Sequence, residues 1–193
     1  MPNGDPLNRT ITSGQLPQGP LPLPDQSDPH HHLWTLLESV VDPEIPVVSL
    51  REMGVLRAIR ESQHGLEVVI TPTYSGCPAM SQMHDDVALV LQAAGIQARI
   101  VTELSPAWSS DWISVEAKLK LKTYGIAPPH ACHPASDRVV LIQQRANRSH
   151  AAVVCPQCDS LNTTETSHFG STACKAMYRC LDCLEPFDYF KPY

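Results

Sequence analysis

Apolar positions along this chain change their spacing several times, and each change marks an element. Leu33, Trp34, Leu36, Leu37, Val40 and Val41 recur at helical spacing, which predicts a short amphipathic helix. Asp28-Pro29 ahead of them is a helix-start signal, a capping carboxylate followed by proline at the first helical position. Residues 55–59 and 66–70 are short apolar runs joined by 61–65, which predicts two strands with a hairpin-like connection. Met80, Met83, Val87, Val90, Leu91 and Ala94 return mostly every three or four residues and stop at Gly95, the pattern of a capped amphipathic helix. Residues 96–102 predict a third strand, and the strand–helix–strand order makes it parallel to the second. Trp112, Val115 and Leu119 predict another amphipathic helix closed by Gly125, although the alternation of Lys118, Lys120 and Lys122 also fits a strand with one solvated side.

Together these elements predict an α+β domain over residues 30–133, a small mixed sheet with helices packed against it. Residues 1–29 carry seven of the 18 prolines and few apolar side chains. Such a segment buries too little surface to offset its ordering entropy, so it reads as a disordered arm, with a docking segment as the lesser alternative. Asp42-Pro43-Glu44-Ile45-Pro46 ends the first helix, because each proline holds the residue before it in extended geometry. Residues 134–150 read as a connector, with a strand at 139–142, and 151–193 as a second, cysteine-rich domain.

Charge narrows the function classes. A net charge of −6 argues against a general nucleic-acid binder and against a polybasic membrane anchor. No apolar run approaches the length of a membrane span, and the N-terminus lacks the basic and apolar regions of a secretory signal. The expected compartment is therefore the cytoplasm. No Gly-rich nucleotide loop is present.

Seven cysteines in such a chain point to metal or redox chemistry rather than to a disulfide framework. Cys155-Pro-Gln-Cys158 and Cys180-Leu-Asp-Cys183 are two knuckles with 21 residues between them. Each knuckle can grip one ion through a tight turn, and two complete a tetrahedral four-thiolate site of the kind zinc favours. A domain of this size has too little core to stand alone, so a structural metal is its expected staple. Iron or an iron–sulfur site with the same thiolates, or a pair of disulfides, are the rivals. Cys174 is left over: it replaces one ligand, is a reactive thiol, or packs, a packing or supporting role being the favoured reading. His130, Cys132 and His133 form a weaker metal-like cluster, and the aromatic end of the chain (Phe187, Tyr189, Phe190) covers the ribbon or docks it on the first domain, with an exposed aromatic surface for a partner protein as the alternative.

The remaining chemistry centres on Cys77, in Thr71-Pro-Thr-Tyr-Ser-Gly-Cys-Pro78. A thiol between Gly76 and Pro78, just ahead of a helical run, fits the first turn of a helix, where the helix dipole favours thiolate. A small buried residue at a strand-to-helix turn fits equally well. Thr71, Thr73 and Ser75 either stabilise the turn or hydrogen-bond a sulfur. A cysteine nucleophile would need a base, and His84 lies about two helical turns further on.

Three segments, Asp42–Leu50, Thr71–Pro78 and 108–113 with 125–129, resemble the MIP-type family, which includes SufT-like proteins of iron–sulfur cluster assembly. With the four-cysteine tail ending in Glu-Pro-Phe-Asp-Tyr-Phe-Lys191, the combination is similar to the D subunits of bacterial 1,2-phenylacetyl-CoA epoxidase systems. The resemblance covers residues 30–193 and leaves the arm outside it.

The resemblance implies that the family's acidic residue falls on Asp42 and its functional cysteine on Cys77. It implies an accessory factor of phenylacetate degradation without catalytic activity of its own. Such a factor assists iron or iron–sulfur assembly of the oxygenase or its reductase, the partners it would meet. The alternative is a non-catalytic structural subunit of the oxygenase. One thiolate per chain cannot hold a cluster, so a transient iron or cluster at Cys77 would be completed by a homodimer, a partner or small thiols. In this reading Asp42 supplies an oxygen ligand or orients the loop, and the zinc of the tail is structural.

Overall fold

The computed structural model describes residue 16, residues 19–130 and residues 152–193. The chain runs through helix α1 (His31–Leu37), strands β1 (Val41–Asp42), β2 (Ile45–Ser49), β3 (Leu56–Ser62) and β4 (Gly65–Ile70), and helix α2 (Met80–Ala93). Strand β5 (Arg99–Thr102), helix α3 (Val115–Tyr124) and strand β6 (Ile126–Ala127) complete the first region. The tail adds β7 (Thr163–Ser167), β8 (Lys175–Cys180) and β9 (Pro186–Phe190).

The expected architecture is present, an α+β domain followed by a small ribbon. Strands β3 and β4 pair antiparallel from Ser62↔Gly65 to Leu56↔Ile70, and β5 joins β4 in parallel, Val69 opposite Val101. α2 is buried through Met83, Val87 and Leu91, the face its periodicity marked. α3 settles the ambiguity of the alternating lysines in favour of a helix. Ser114 caps it by accepting from the Ala117 amide, and Gly125 ends it at φ +96°. Gly54 is required by a close approach: a Cβ there would lie 2.7 Å from that of Trp112, at a positive φ.

Two boundaries differ from the sequence expectation. α1 ends at Leu37, and Val41 belongs to β1 rather than to the helix. Its start is also later than Asp28-Pro29 predicts. Asp28 Oδ1 accepts from the His30 amide and Asp28 O from the His31 amide, so the carboxylate closes a turn ahead of the helix. The arm, expected to be disordered, is docked over its last part. Leu21 packs on the core. Arg51 donates to the Leu21 carbonyl at 2.6 Å and Arg57 to that of Gly19 at 3.2 Å, while His31 Nδ1 lies 2.7 Å from Pro24 O. Backbone carbonyls supply acceptors that a polar, proline-rich composition does not advertise. The cluster His130-Cys132-His133 beyond its first residue, the strand at 139–142 and most of the connector lie outside the described residues.

The ribbon is welded to the first domain by its last strand. Its sheet runs β6-β9-β8-β7, so a strand from the first domain is its edge, Ala127 lying opposite Tyr189 in parallel. Phe190 is 1% exposed and belongs to the core of the first domain, with its ring 6.0 Å from that of Trp108. Phe187, Tyr189 and Tyr178 instead form the ribbon's own core with Cys155 and Cys180. The aromatic end therefore does both things expected of it. The chain end is tied down as well: the Tyr193 carbonyl accepts from the Ser110 amide at 3.2 Å.

Candidate functional site

Two sulfur-bearing sites emerge, both positioned by the ribbon. In the first, the knuckles hang at one end of the β7–β8–β9 sheet. The Cys155 and Cys183 sulfurs are 3.7 Å apart and those of Cys158 and Cys180 3.6 Å apart, and all four lie within 4.8 Å of one another. A tetrahedron with sulfurs about 2.3 Å from its centre has edges of about 3.8 Å, so the set fits a four-thiolate zinc site. Cys155 and Cys180 are fully buried. The Cys183 amide donates to Cys180 Sγ at 3.4 Å, and with the Asp182 amide this draws that thiol down to about 6. The Ser160 amide favours the Cys158 thiolate, yet desolvation and the three neighbouring sulfurs push it up to about 12. Four sulfurs this close cannot all ionise without a cation between them. Among the described residues this is the single compact donor set of its kind.

The second site is a small pocket where the domains meet. Cys77 is contributed by the connection from β4 to α2, Asp42 by β1 and Cys174 by the residue just ahead of β8. Thr73, Thr172 and Phe190 complete the part of the lining that matters here, and the cavity holds about 20 Å³. Asp42 and Cys77, paired by the family resemblance, thus share one cavity with Thr73 and Cys174.

Each side chain has a local reason for its place. Asp42 is 6% exposed, and its Oδ1 accepts from the Glu44 amide at 2.8 Å and the Ile45 amide at 3.0 Å. It is an Asx-type cap on the turn before β2. Among the described residues no hydrogen bond reaches Oδ2. Burial pushes its carboxyl up, against the pull of those two amides. Cys174 is half-buried, with its sulfur 3.0 Å from the Thr172 hydroxyl and its carbonyl accepting from the Lys191 amide. Lys175, next to it, is buried and faces Asp188 Oδ2 at 3.3 Å.

Cys77 departs from the helix-start expectation. α2 begins at Met80 with Ala79 as its capping residue, and Cys77 sits in the preceding turn, where its amide donates to Tyr74 O at 3.1 Å. Burial pushes its thiol up. The Ala79 amide pulls the other way, while Asp42, Cys174 and Glu44 add like charge. Cys174 is pushed up as well, first by burial. Both shifts favour the neutral thiol over the thiolate. No histidine lines the pocket among the described residues; its ionisable side chains besides the two cysteines are Asp42, Glu44 and Tyr74.

Comparisons with known proteins match two separate parts of the chain. Residues 31–99 match the model of the iron–sulfur cluster assembly protein family, and residues 142–191 that of the PaaD zinc beta ribbon domain. A protein of Escherichia coli K12, provisionally named the D subunit of 1,2-phenylacetyl-CoA epoxidase, is 41% identical over 164 residues, which cover 83% of this chain and 92% of that protein. The chain belongs to the PaaD family. A Fe-S protein maturation auxiliary factor of Porphyromonas gingivalis W83 is 32% identical over 89 residues, 45% of this chain and 84% of that one. A domain of unknown function from Bacillus anthracis, solved by crystallography, matches at a TM-score of 0.43 and 27% identity, covering 48% of this chain and 90% of its own. No helix among the described residues is long and apolar enough to cross a membrane.

Proposed function

We propose that this PaaD-family chain is a maturation factor of the phenylacetyl-CoA epoxidase system, handling iron for the oxygenase or its reductase rather than catalysing epoxidation. The observation that carries this reading is the pocket itself. It places the cysteine and the carboxylate of the assembly-type domain against the ribbon that marks the PaaD family. The names of the relatives, one a component of an epoxidase and the other a maturation factor, point the same way.

In this reading the division of labour is simple. Cys155, Cys158, Cys180 and Cys183 hold a resident zinc ion that fastens the ribbon. Cys77 is a transient ligand for iron cargo, with Asp42 supplying oxygen and Thr73 shaping the turn. A carrier must let go, and a site with few donors in a small cavity at a domain junction is easier to leave than a closed four-thiolate cage.

The test is made in cells that express the epoxidase system. Replacing wild type by Cys77→Ala should leave this chain folded, zinc-loaded and bound to its partner, yet leave the oxygenase or reductase short of iron by metal analysis. Full iron content and full epoxidase activity in that strain would sink the maturation role. Co-purification at fixed stoichiometry would then leave a structural subunit as the role of this chain.

A further inference from the structure

We propose that Cys174 is the second thiolate of the cargo site, and that Cys77, Cys174 and Asp42 together take a single divalent iron ion rather than an assembled cluster. The inference rests on the maturation reading above and adds what the cargo is and what the ribbon does for it.

Three observations converge. First, the donors come from three places in the fold, yet line one cavity: Asp42 on β1, Cys77 after β4 and Cys174 ahead of β8. Second, the cavity holds about 20 Å³. One water-sized species needs roughly 10–15 Å³ by the same kind of measure, so one ion fits. The two irons and two sulfides of the smallest common cluster exceed that space and would sit at the open mouth or displace the loop. Third, the pocket contains its own chemistry for a soft cation. Two sulfurs and the Asp42 oxygen left outside the turn's hydrogen bonds form a mixed set that suits iron(II) or zinc(II) and leaves a coordination position open.

The positions of the two sulfurs explain why the ribbon is where it is. β9 pairs with β6 and drives Phe190 into the first domain's core. β8 pairs with β9, Lys175 opposite Phe190. That register brings Cys174, one residue earlier, to the pocket that Cys77 also lines. Both thiols sit on irregular chain rather than inside a strand or helix, so rotation of two short side chains is what closes them on an ion. Binding breaks the two S–H bonds and forms two S–metal bonds. The two protons leave to solvent, and iron keeps its oxidation state.

The experiment uses the full chain, zinc-loaded in the ribbon, under strict anaerobic conditions. Iron(II) is titrated with metal analysis as the readout. Cobalt(II) follows as a spectroscopic probe, because its sulfur-to-metal charge-transfer intensity scales with the number of thiolates. Wild type should take one ion beyond the retained zinc, with the intensity of two thiolates. Cys77→Ser and Cys174→Ser should each lower that intensity to about half and weaken the affinity at least tenfold, with zinc content and circular dichroism unchanged. Cys174→Ala, which removes the donor altogether, should behave as Cys174→Ser does.

Wild-type affinity and full intensity in both Cys174 variants, with loss only in Cys77→Ser, would overturn the second thiolate while leaving the maturation reading intact. Wild-type behaviour in Cys77→Ser as well would remove the cargo site altogether. Reconstitution of the wild-type chain with iron and sulfide to two irons and two sulfides per chain, on Cys77 and Cys174, would overturn the single ion.

Discussion

The two sulfur sites of this chain use the same donor atom for opposite ends. The four-cysteine site draws all its ligands from one small ribbon, with neighbouring sulfurs at 3.6 and 3.7 Å and two of the four fully buried. The pocket draws its thiols and carboxylate from two domains, and its donors are not gathered as tightly. On the reading proposed above, the first keeps an ion and the second exchanges one. The difference comes from donor number and from what fixes the donors, not from the chemistry of sulfur. In the tail, tight turns within one sheet hold the knuckles. In the pocket, the packing of one domain on another holds the donors.

The comparison is tested most severely by removing a tail ligand. Cys155→Ser leaves three sulfurs of a closed site and a buried hydroxyl beside them. Metal binding in small zinc domains is worth about 10–16 kcal/mol of folding free energy. The variant should lose its zinc and drop in melting temperature on the order of 10 °C or more. The pocket should then lose cargo binding too, because Cys174 and Phe190 arrive with the ribbon. Zinc content and thermal melting monitor the first effect and cobalt titration the second. Cargo binding that survives loss of the zinc would show that the pocket does not depend on the ribbon.

Phe190→Ala is the reverse cut. It empties a site 1% exposed in the first domain's core while leaving all four tail cysteines in place. The expected cost is about 3–5 kcal/mol. Zinc should stay at one per chain, and cobalt binding at the pocket should weaken by more than tenfold as Cys174 drifts from Cys77. Loss of zinc in this variant would mean that the two sites are one cooperative unit.

These tests follow the line between what could and could not be read from the sequence. The tail site was legible because its logic is local: two residues between cysteines make a knuckle whatever surrounds them. α2 and the β3–β4 hairpin were legible because their periods run long enough to be unambiguous. The period overstates α1, because Val40 and Val41 prolong an apolar run into the turn before β1, where the tertiary fold and not the period decides. Cys77 lies in the strand-to-helix turn and not in the first turn of α2, because the turn closed by Cys77 N and Tyr74 O precedes the helix. The meeting of Cys77 with Cys174 depends on a two-residue pairing, Ile126 and Ala127 with Asp188 and Tyr189. Nothing in either segment's own pattern announces that contact, so Cys174 was visible only as the cysteine left over. The docked part of the arm was hidden for a similar reason, since arginines of the first domain hold it by its backbone.

The smallest expected effect separates stability from function at the pocket. Asp42 is buried, and burial outweighs the Glu44 and Ile45 amides to raise its carboxyl above the usual range; Glu44 adds to the rise and Lys175 opposes it. A raised carboxyl means that the folded state disfavours the charged form. The penalty is absent below the unfolded-state value, grows as pH rises towards the folded-state value and is fully present above it. Asn at this position keeps the oxygen that accepts both amides and removes the charge. Asp42→Asn should therefore be more stable than wild type at neutral pH by an amount on the order of 1 kcal/mol, with the advantage shrinking as pH falls through that window. The same variant should bind cobalt more weakly at the pocket and leave the tail zinc untouched. Denaturant melts of the cargo-free, zinc-loaded protein across pH measure the first effect, and cobalt titration at neutral pH measures the second. A variant that loses stability at neutral pH would show that the carboxylate is kept as a turn cap. One that gains stability and loses cargo would show that the charge is kept in the pocket, at a cost to the fold, for the cation it receives.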